Sequence, residues 1–381
     1  MIYLDNNATT RPAPEVVEAM LPYLREHWGN ASSAHPMGRM PEGALVQARA
    51  QVAVLLGCQP AEVVFNSGGT EGINHALRGV LEAFPGQRHL VTTSVEHSAL
   101  RAVSGWLRRQ GVEVTEVGVD PEGLLRLEQL RQVIRPDTAV VSVMAVNNES
   151  GVIFPIEEVA ALVKERGSLL HVDAVQAAGK LPLEPLVAVA DLLNLSGHKI
   201  HGPKGAGALY IRRGLRPKPL MLGGHQERDR RGGTENVPAL VGLGVAAERA
   251  RAHLPDMDRV RALLDRLEGT LLHAVPGLRV IGSGAPRVAT TSLLSFRDLE
   301  GEALLLKLGE RGICVSTGSA CTTGQKEPSH VLQAMQVPGE FARGTIRISL
   351  SRETTEQEIE ETERILPQVV QALRNLGALG R

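Results

Sequence analysis

Along the first two-thirds of the chain, short apolar runs alternate with longer stretches whose apolar residues return every three or four positions. The runs Glu62–Phe65, His89–Thr93, Ala139–Val146, Leu169–Val172 and Leu192–Leu195 predict buried strands, and the polar–apolar alternation of Val112–Val117 predicts another. Between them, helical spacing covers Asn74–Leu81, Ser98–Arg109 and about Ile156–Arg166. Strands and helices alternating in this way imply a mostly parallel sheet with helices on both faces. The basic, proline-containing stretch Arg212–Pro219 interrupts the pattern, and helical segments then run from about Val237 to Ala274. The last hundred residues mix strands (Val288–Phe296, Thr345–Leu350) with helices (Gly301–Leu308, Thr355–Leu373), which suits a smaller α+β domain.

The chain has 381 residues, enough for about two domains. Its net charge is −1 and aromatic residues make up 3%. Such a chain has no electrostatic footprint for nucleic acid and few platforms on which bases stack. The longest uncharged apolar stretch, near Val237–Ala247, is too short to span a membrane. The start, Met1–Asn7, has neither a basic nor an apolar region of the signal-peptide kind, so a cytoplasmic protein is expected. Three cysteines (Cys58, Cys314, Cys321) without CxxC spacing argue against a disulfide framework or structural zinc.

A parallel sheet binds ligands at the loops after its strands. Four of these loops are polar: Ser67–Thr70, Asn147–Glu149, Asp173–Gln176 and Ser196–Lys199. A lysine after a buried strand is usually a solvated surface group, yet a desolvated amine there forms Schiff bases with carbonyls. Asp173 reads alone as a helix cap. With Lys199 one strand downstream, it also suits the pyridine nitrogen of pyridoxal phosphate (PLP), which needs a carboxylate partner. Ser67-Gly68-Gly69-Thr70 opens a helix and offers backbone N–H groups to a phosphate; no Walker A spacing occurs. Cys321 stands in the small, glycine-flanked loop Ser316–Gly324, where a thiol is expected to be exposed and reactive. Cys314, inside Ile313-Cys314-Val315, reads as buried, and Cys58 as structural.

These segments resemble the cysteine desulfurases of the NifS/IscS type, group I, within the class V aminotransferase group of PLP enzymes. The similarity runs from Leu4–Thr10 to Thr345–Leu350. Its most specific parts are His171–Gln176, Ser196–Gly205, Arg231–Val237 and Gly318-Ser319-Ala320-Cys321. The resemblance implies the PLP-dependent transferase fold type I, with a mostly parallel seven-stranded sheet flanked by helices in the large domain. Residues 12–250 would form that domain, and residues 1–11 with 251–381 a small α+β domain carrying the cysteine loop.

It also implies the site. Lys199 would carry PLP as a Schiff base and shuttle a proton; Asp173 would pair with the pyridine nitrogen, and Gln176 with the ring's phenolic oxygen. His97 would stack on the ring and assist proton transfer, where otherwise it reads as a surface histidine. Thr70, Ser196 and His198 would bind the phosphate, and Thr234 would reach the phosphate of a neighbouring subunit in a homodimer. Asn148 and Arg347 would hold the substrate, Arg347 by its carboxylate, although a strand residue facing solvent is the bland reading of Arg347. Cys321 would take sulfur from L-cysteine as a persulfide, leaving L-alanine, and pass it to an acceptor such as an iron–sulfur scaffold or sulfur-carrier protein. No resident metal is expected, with Cys321 able to contribute to a transferred iron–sulfur cluster.

The nearest alternatives keep the fold and change the substrate: a selenocysteine lyase or an aminotransferase. A non-catalytic PLP-fold scaffold would have no need of Lys199, Asp173, Cys321 and Arg347 together. A metallohydrolase finds no HExxH among the 12 histidines.

Overall fold

The computed structural model describes residues 1–317 and 328–379. Its strands, in chain order, are β1 (Ile2–Tyr3), β2 (Val63–Asn66), β3 (His89–Thr93), β4 (Glu113–Val117), β5 (Thr138–Met144), β6 (Leu169–Asp173), β7 (Leu192–Ser196), β8 (Gly207–Ile211), β9 (Leu278–Val280), β10 (Thr291–Phe296), β11 (Ile313–Cys314) and β12 (Thr345–Ser349). Seven of them form the central sheet in the order β2-β8-β7-β6-β5-β3-β4.

Six of these strands run parallel, while β8 is antiparallel to both neighbours. The long connections elsewhere carry crossover helices, whereas β7 and β8 are joined by ten residues, too few for a parallel return over the sheet. Both sheet faces are covered, and side chains alternate between two cores as the pleat requires. Val63, Phe65, Val91, Leu193, Leu195 and Tyr210 enter one core. Val64, Leu90, Leu192, Leu209 and Ile211 enter the other, beneath helices Gly69–Ala83 and Ser98–Arg109.

A third core is assembled from both ends of the chain. Leu4 packs with Leu264, Leu267 and Leu271 of helix Met257–Ala274, with Leu294, Phe296, Ile346 and Ile348, and with Ile359, Leu366 and Val370 of helix Glu356–Leu379. Here β10 lies antiparallel between β12 and β9. Strand β1 pairs parallel with β11, placing Ile2 beside Ile313 and Tyr3 beside Cys314.

Several local readings need correction. Helices Pro14–Arg25 and Pro36–Leu56 were not apparent from periodicity, and both begin on a proline at the first helical position, where its missing N–H costs nothing. The predicted Asn74–Leu81 helix starts at Gly69, because the glycine turn is its N-terminus. A short 3-10 turn at Leu254–Asp256, around Pro255, divides the helical region 237–274. The strand expected from Val288 starts at Thr291. Cys314 is half-buried rather than buried, since β11 is a two-residue strand.

Candidate active site

Strand register brings the polar loops to one edge of the sheet. Met144 of β5 stands beside Asp173 of β6, Asp173 beside Asn194 of β7, and Ser196 beside Gly207 of β8. The loops open on a cavity of about 640 Å³ lined by Thr70, His97, Asn148, Asp173, Gln176, Ser196, His198, Lys199 and Arg347. An adjoining recess of about 360 Å³ shares Thr70, Ser196 and His198 with it and adds Ser67, Gly68 and Lys204. Thr234 is exposed and lines neither space. Cys321 lies outside the described residues.

The recess is a helix N-terminus. Gly68 adopts φ +136°, a conformation open to glycine, and so turns the chain from β2 into helix Gly69–Ala83. The first N–H groups of a helix have no partner within it and favour an anion. Asn66 Oδ1 accepts the Gly68 N–H (2.9 Å), and Glu71 accepts the Ser67 N–H (2.9 Å). Glu71 also pairs with Arg231 at 3.0 Å, and these contacts hold its carboxyl below the usual range against the cost of burial. The Arg231–Thr234 segment is thereby tied to the glycine turn.

At the cavity floor, Lys199 ends the 3-10 turn that follows β7. Its Nζ donates to the carbonyls of Asn7 and of Ala8, the latter at 2.8 Å. Asp173 Oδ1 accepts the Val175 N–H (3.0 Å) and the Asn194 side-chain amide (3.2 Å). The capping role and the cavity-facing role therefore coexist. Asn194 Oδ1 meets His171 Nε2 at 2.7 Å, and His171 Nδ1 meets Ser142 Oγ at 2.7 Å. This buried row fixes the Asp173 carboxylate from behind.

The imidazoles around the cavity are held neutral. Burial, aided by Lys199 and Lys204, lowers His198 to about 4. Burial also lowers His97, with Asp173 opposing and Lys199 adding to the effect. His97 Nδ1 accepts the Ala99 N–H at 3.1 Å and so caps helix Ser98–Arg109, which leaves the ring proton on Nε2. The histidine is a cavity wall, not a surface group.

Arg347 of β12 forms the opposite wall. Its side chain is 3% exposed, and its guanidinium donates to Asp5 (2.8 Å) and to the Asn148 carbonyl (3.0 Å). Its backbone bonds Ser316 in both directions. Glu149, beside Asn148, accepts the Ser329 hydroxyl at 2.6 Å; burial raises its carboxyl while Ser329, Arg347 and Arg101 pull it down. The two described ends of the chain that carries Cys321 are thus both fastened at the cavity rim.

Sequence reasoning missed several of these residues. Asn7, Glu96, His171, Lys180 and Asn194 all hold the site from behind it, through contacts distant in sequence. A signal existed for two of them, since His171 and Asn194 are polar residues interrupting fully apolar strands. Of the other thiols, burial and Glu62 push Cys58 up to about 12, which makes it unreactive.

The sequence matches the family described as aminotransferase class-V over residues 2–362. It is 52% identical to "Cysteine desulfurase 2" of Trichormus variabilis over 374 residues, which is 98% of this chain and 94% of that protein. Among solved structures, a "NIFS-LIKE PROTEIN" superposes with a TM-score of 0.91 at 39% identity, covering 98% of this chain and all of the other. "SspA in complex with cysteine" superposes with a TM-score of 0.82 at 34% identity, covering 93% of this chain and all of the other. Among the described residues, no helix is long and apolar enough to cross a membrane.

Proposed function

The chain belongs to the aminotransferase class-V family, and on that premise we propose that it is a cysteine desulfurase, moving sulfur from L-cysteine to Cys321 with release of L-alanine. The observation that carries the reading is one cavity holding an amine, a braced carboxylate and a preorganised arginine.

PLP fits these residues. The glycine turn and helix start, with Thr70, Ser196 and His198, suit its phosphate. Asp173 suits the pyridine nitrogen, Gln176 the phenolic oxygen, His97 the ring face and Lys199 the aldehyde carbon. When bound, PLP supplies an electron sink for charge developing at the substrate's Cα. Arg347 binds the substrate carboxylate, with Asp5 fixing the guanidinium and Asn148 beside it. Lys199 Nζ takes the Cα proton and returns it. The Cys321 thiolate attacks the substrate sulfur; the S–S bond forms as the C–S bond breaks, and protonation of the three-carbon fragment gives alanine. Atoms balance as L-cysteine plus thiol giving L-alanine plus persulfide. The acceptor that empties the persulfide is an iron–sulfur scaffold or sulfur-carrier protein.

The dimer belongs to the same proposal. Thr234 is exposed and lines neither space of its own chain, and Leu24, Trp28, Met40 and Leu222 are 60%, 71%, 53% and 85% exposed, apolar surface that a second copy would cover. The division into residues 12–250 and 1–11 with 251–381 is supported by the third core, although Val331, Leu332 and Met335 pack with the larger one.

The test is L-alanine formation from L-cysteine with a thiol reductant, comparing the wild type with Cys321→Ser. Equal amounts of alanine and sulfide from the wild type and none from the variant are expected. Normal turnover by the variant would remove Cys321 from the mechanism. No alanine from a PLP-loaded wild type would favour a selenocysteine lyase or an aminotransferase.

A further inference from the structure

A second, half-buried amine stands behind the cavity. Lys180 Nζ donates to Asn7 Oδ1 (2.7 Å) and to Gln176 Oε1 (2.6 Å). Two acceptors suffice for the two hydrogens of an uncharged amine. Gln176 returns its own N–H to the Asn7 carbonyl (3.0 Å), the carbonyl that also accepts from Lys199. Asn7 is therefore a hub, its side chain on one amine and its backbone on the other. Both lysines also line a pocket of about 30 Å³, room enough for a water molecule.

The charged surroundings are one-sided. Burial, with the cations Lys199 and Arg347, drives Lys180 well below the ordinary lysine range. Arg352 and His201 line the same small pocket, and burial lowers His201 to about 4. Asp5 is engaged with Arg347, and Asp173 with Asn194 and Val175. Among the described residues, no carboxylate bonds Lys180.

We propose that Lys180 is a second functional amine that shares one proton with Lys199, uncharged while Lys199 is charged and taking up the proton when Lys199 gives it away. The exchange is a proton transfer alone: the ammonium of Lys199 becomes an amine as the amine of Lys180 becomes an ammonium, with a water in the small pocket as bridge. The inference rests on Lys199 being the reactive amine of the proposed function. It supplies what that mechanism needs, a place to leave a proton beside the reactive amine.

The chain has seven lysines, few enough to resolve singly. The full-length protein, labelled with 13C at lysine Cε and stripped of carbonyl cofactor by hydroxylamine, is titrated by NMR from about pH 5 to about pH 10, as wild type and as Lys199→Ala. Single Lys→Arg variants at the other lysines assign the Lys180 signal, so no variant at 180 has to fold. Lys180 is expected to be uncharged at neutral pH in the wild type. Lys199→Ala is expected to raise its midpoint by at least about one pH unit, a tenfold gain in proton affinity. A charged Lys180 in the neutral wild type, or a midpoint indifferent to Lys199→Ala, would overturn the proposal. Borohydride reduction of the holoenzyme and peptide mass spectrometry test the underlying reading separately. A pyridoxyl group found away from Lys199 would retire that reading, while the titration still decides whether the two amines are coupled.

Discussion

Glu96→Gln isolates the cost of a buried carboxyl. Glu96 is fully buried, and its Oε1 accepts from the Thr93 hydroxyl (2.8 Å) and the Met144 N–H (3.0 Å). Its Oε2 is buried without a partner among the described residues. Burial, with the nearby charge of Asp173, pushes the group from 4.5 up to about 8. The unfolded chain therefore gives up this proton more readily than the folded one. Stability is complete below pH 4.5 and falls as pH rises toward 8, by on the order of 5 kcal/mol at ~1.4 kcal/mol per tenfold. Glutamine keeps the shape and the Oε1 contacts but cannot ionise. Guanidinium unfolding of the wild type and the variant should give similar midpoints near about pH 5, and a variant more stable by several kcal/mol near about pH 9. Comparing the pair at each pH cancels the other titrating groups. An equal gap at both pH values would refute the reasoning, because it would mean that the folded protein carries Glu96 already ionised near about pH 5, as the unfolded chain does.

Arg347→Gln removes the proposed carboxylate anchor and should lower kcat/KM for L-cysteine by roughly 10²–10³-fold, read by alanine formation, with the bound-cofactor absorption unchanged. Asn194→Leu leaves His171 Nε2 without its partner and Asp173 Oδ1 with the Val175 N–H alone. It should cost about 2–3 kcal/mol in denaturant unfolding and lower kcat more than it raises KM. Gly68→Ala places a side chain at φ +136°, 3.2 Å from Ser196 Oγ. The strain of about 1–3 kcal/mol should weaken PLP retention about tenfold or more in equilibrium dialysis.

Most strands of the large sheet could be read from the chain because they are closed apolar runs, such as Thr138–Met144, buried on both faces, while the edge strand β4 showed instead as an alternating run. Strand β8 escaped notice because it begins in a glycine-rich stretch, Gly202–Gly207, and its sense depends on a short connection rather than on composition. Residues at strand ends, such as Asp173 and Lys199, were legible because the edge of a parallel sheet gathers them whatever the helices do. The brace behind them was not. Glu96 meets Met144, and Lys180 meets Asn7, through register and packing that no local pattern encodes. Arg347 showed the opposite problem. Its strand alternation allowed an outward side chain, and only the pairing of β12 with β10 turned it toward Asp5.

The N-terminal residues described as part of the small core also close the cavity. Ile2 and Leu4 bond residues 312 and 314, Asp5 pairs with Arg347, Asn7 receives Lys199, and Thr10 bonds His198. During synthesis these first residues leave the ribosome well before their partners near 312–349 exist. The large sheet is able to form as soon as residue 211 has emerged, but the cavity stays open until nearly the whole chain has been made. A nascent or C-terminally truncated chain therefore has the sheet with Asp173 and Lys199 but not the wall that Asp5 and Arg347 build, so under the proposed mechanism it lacks its substrate anchor until the chain is nearly complete.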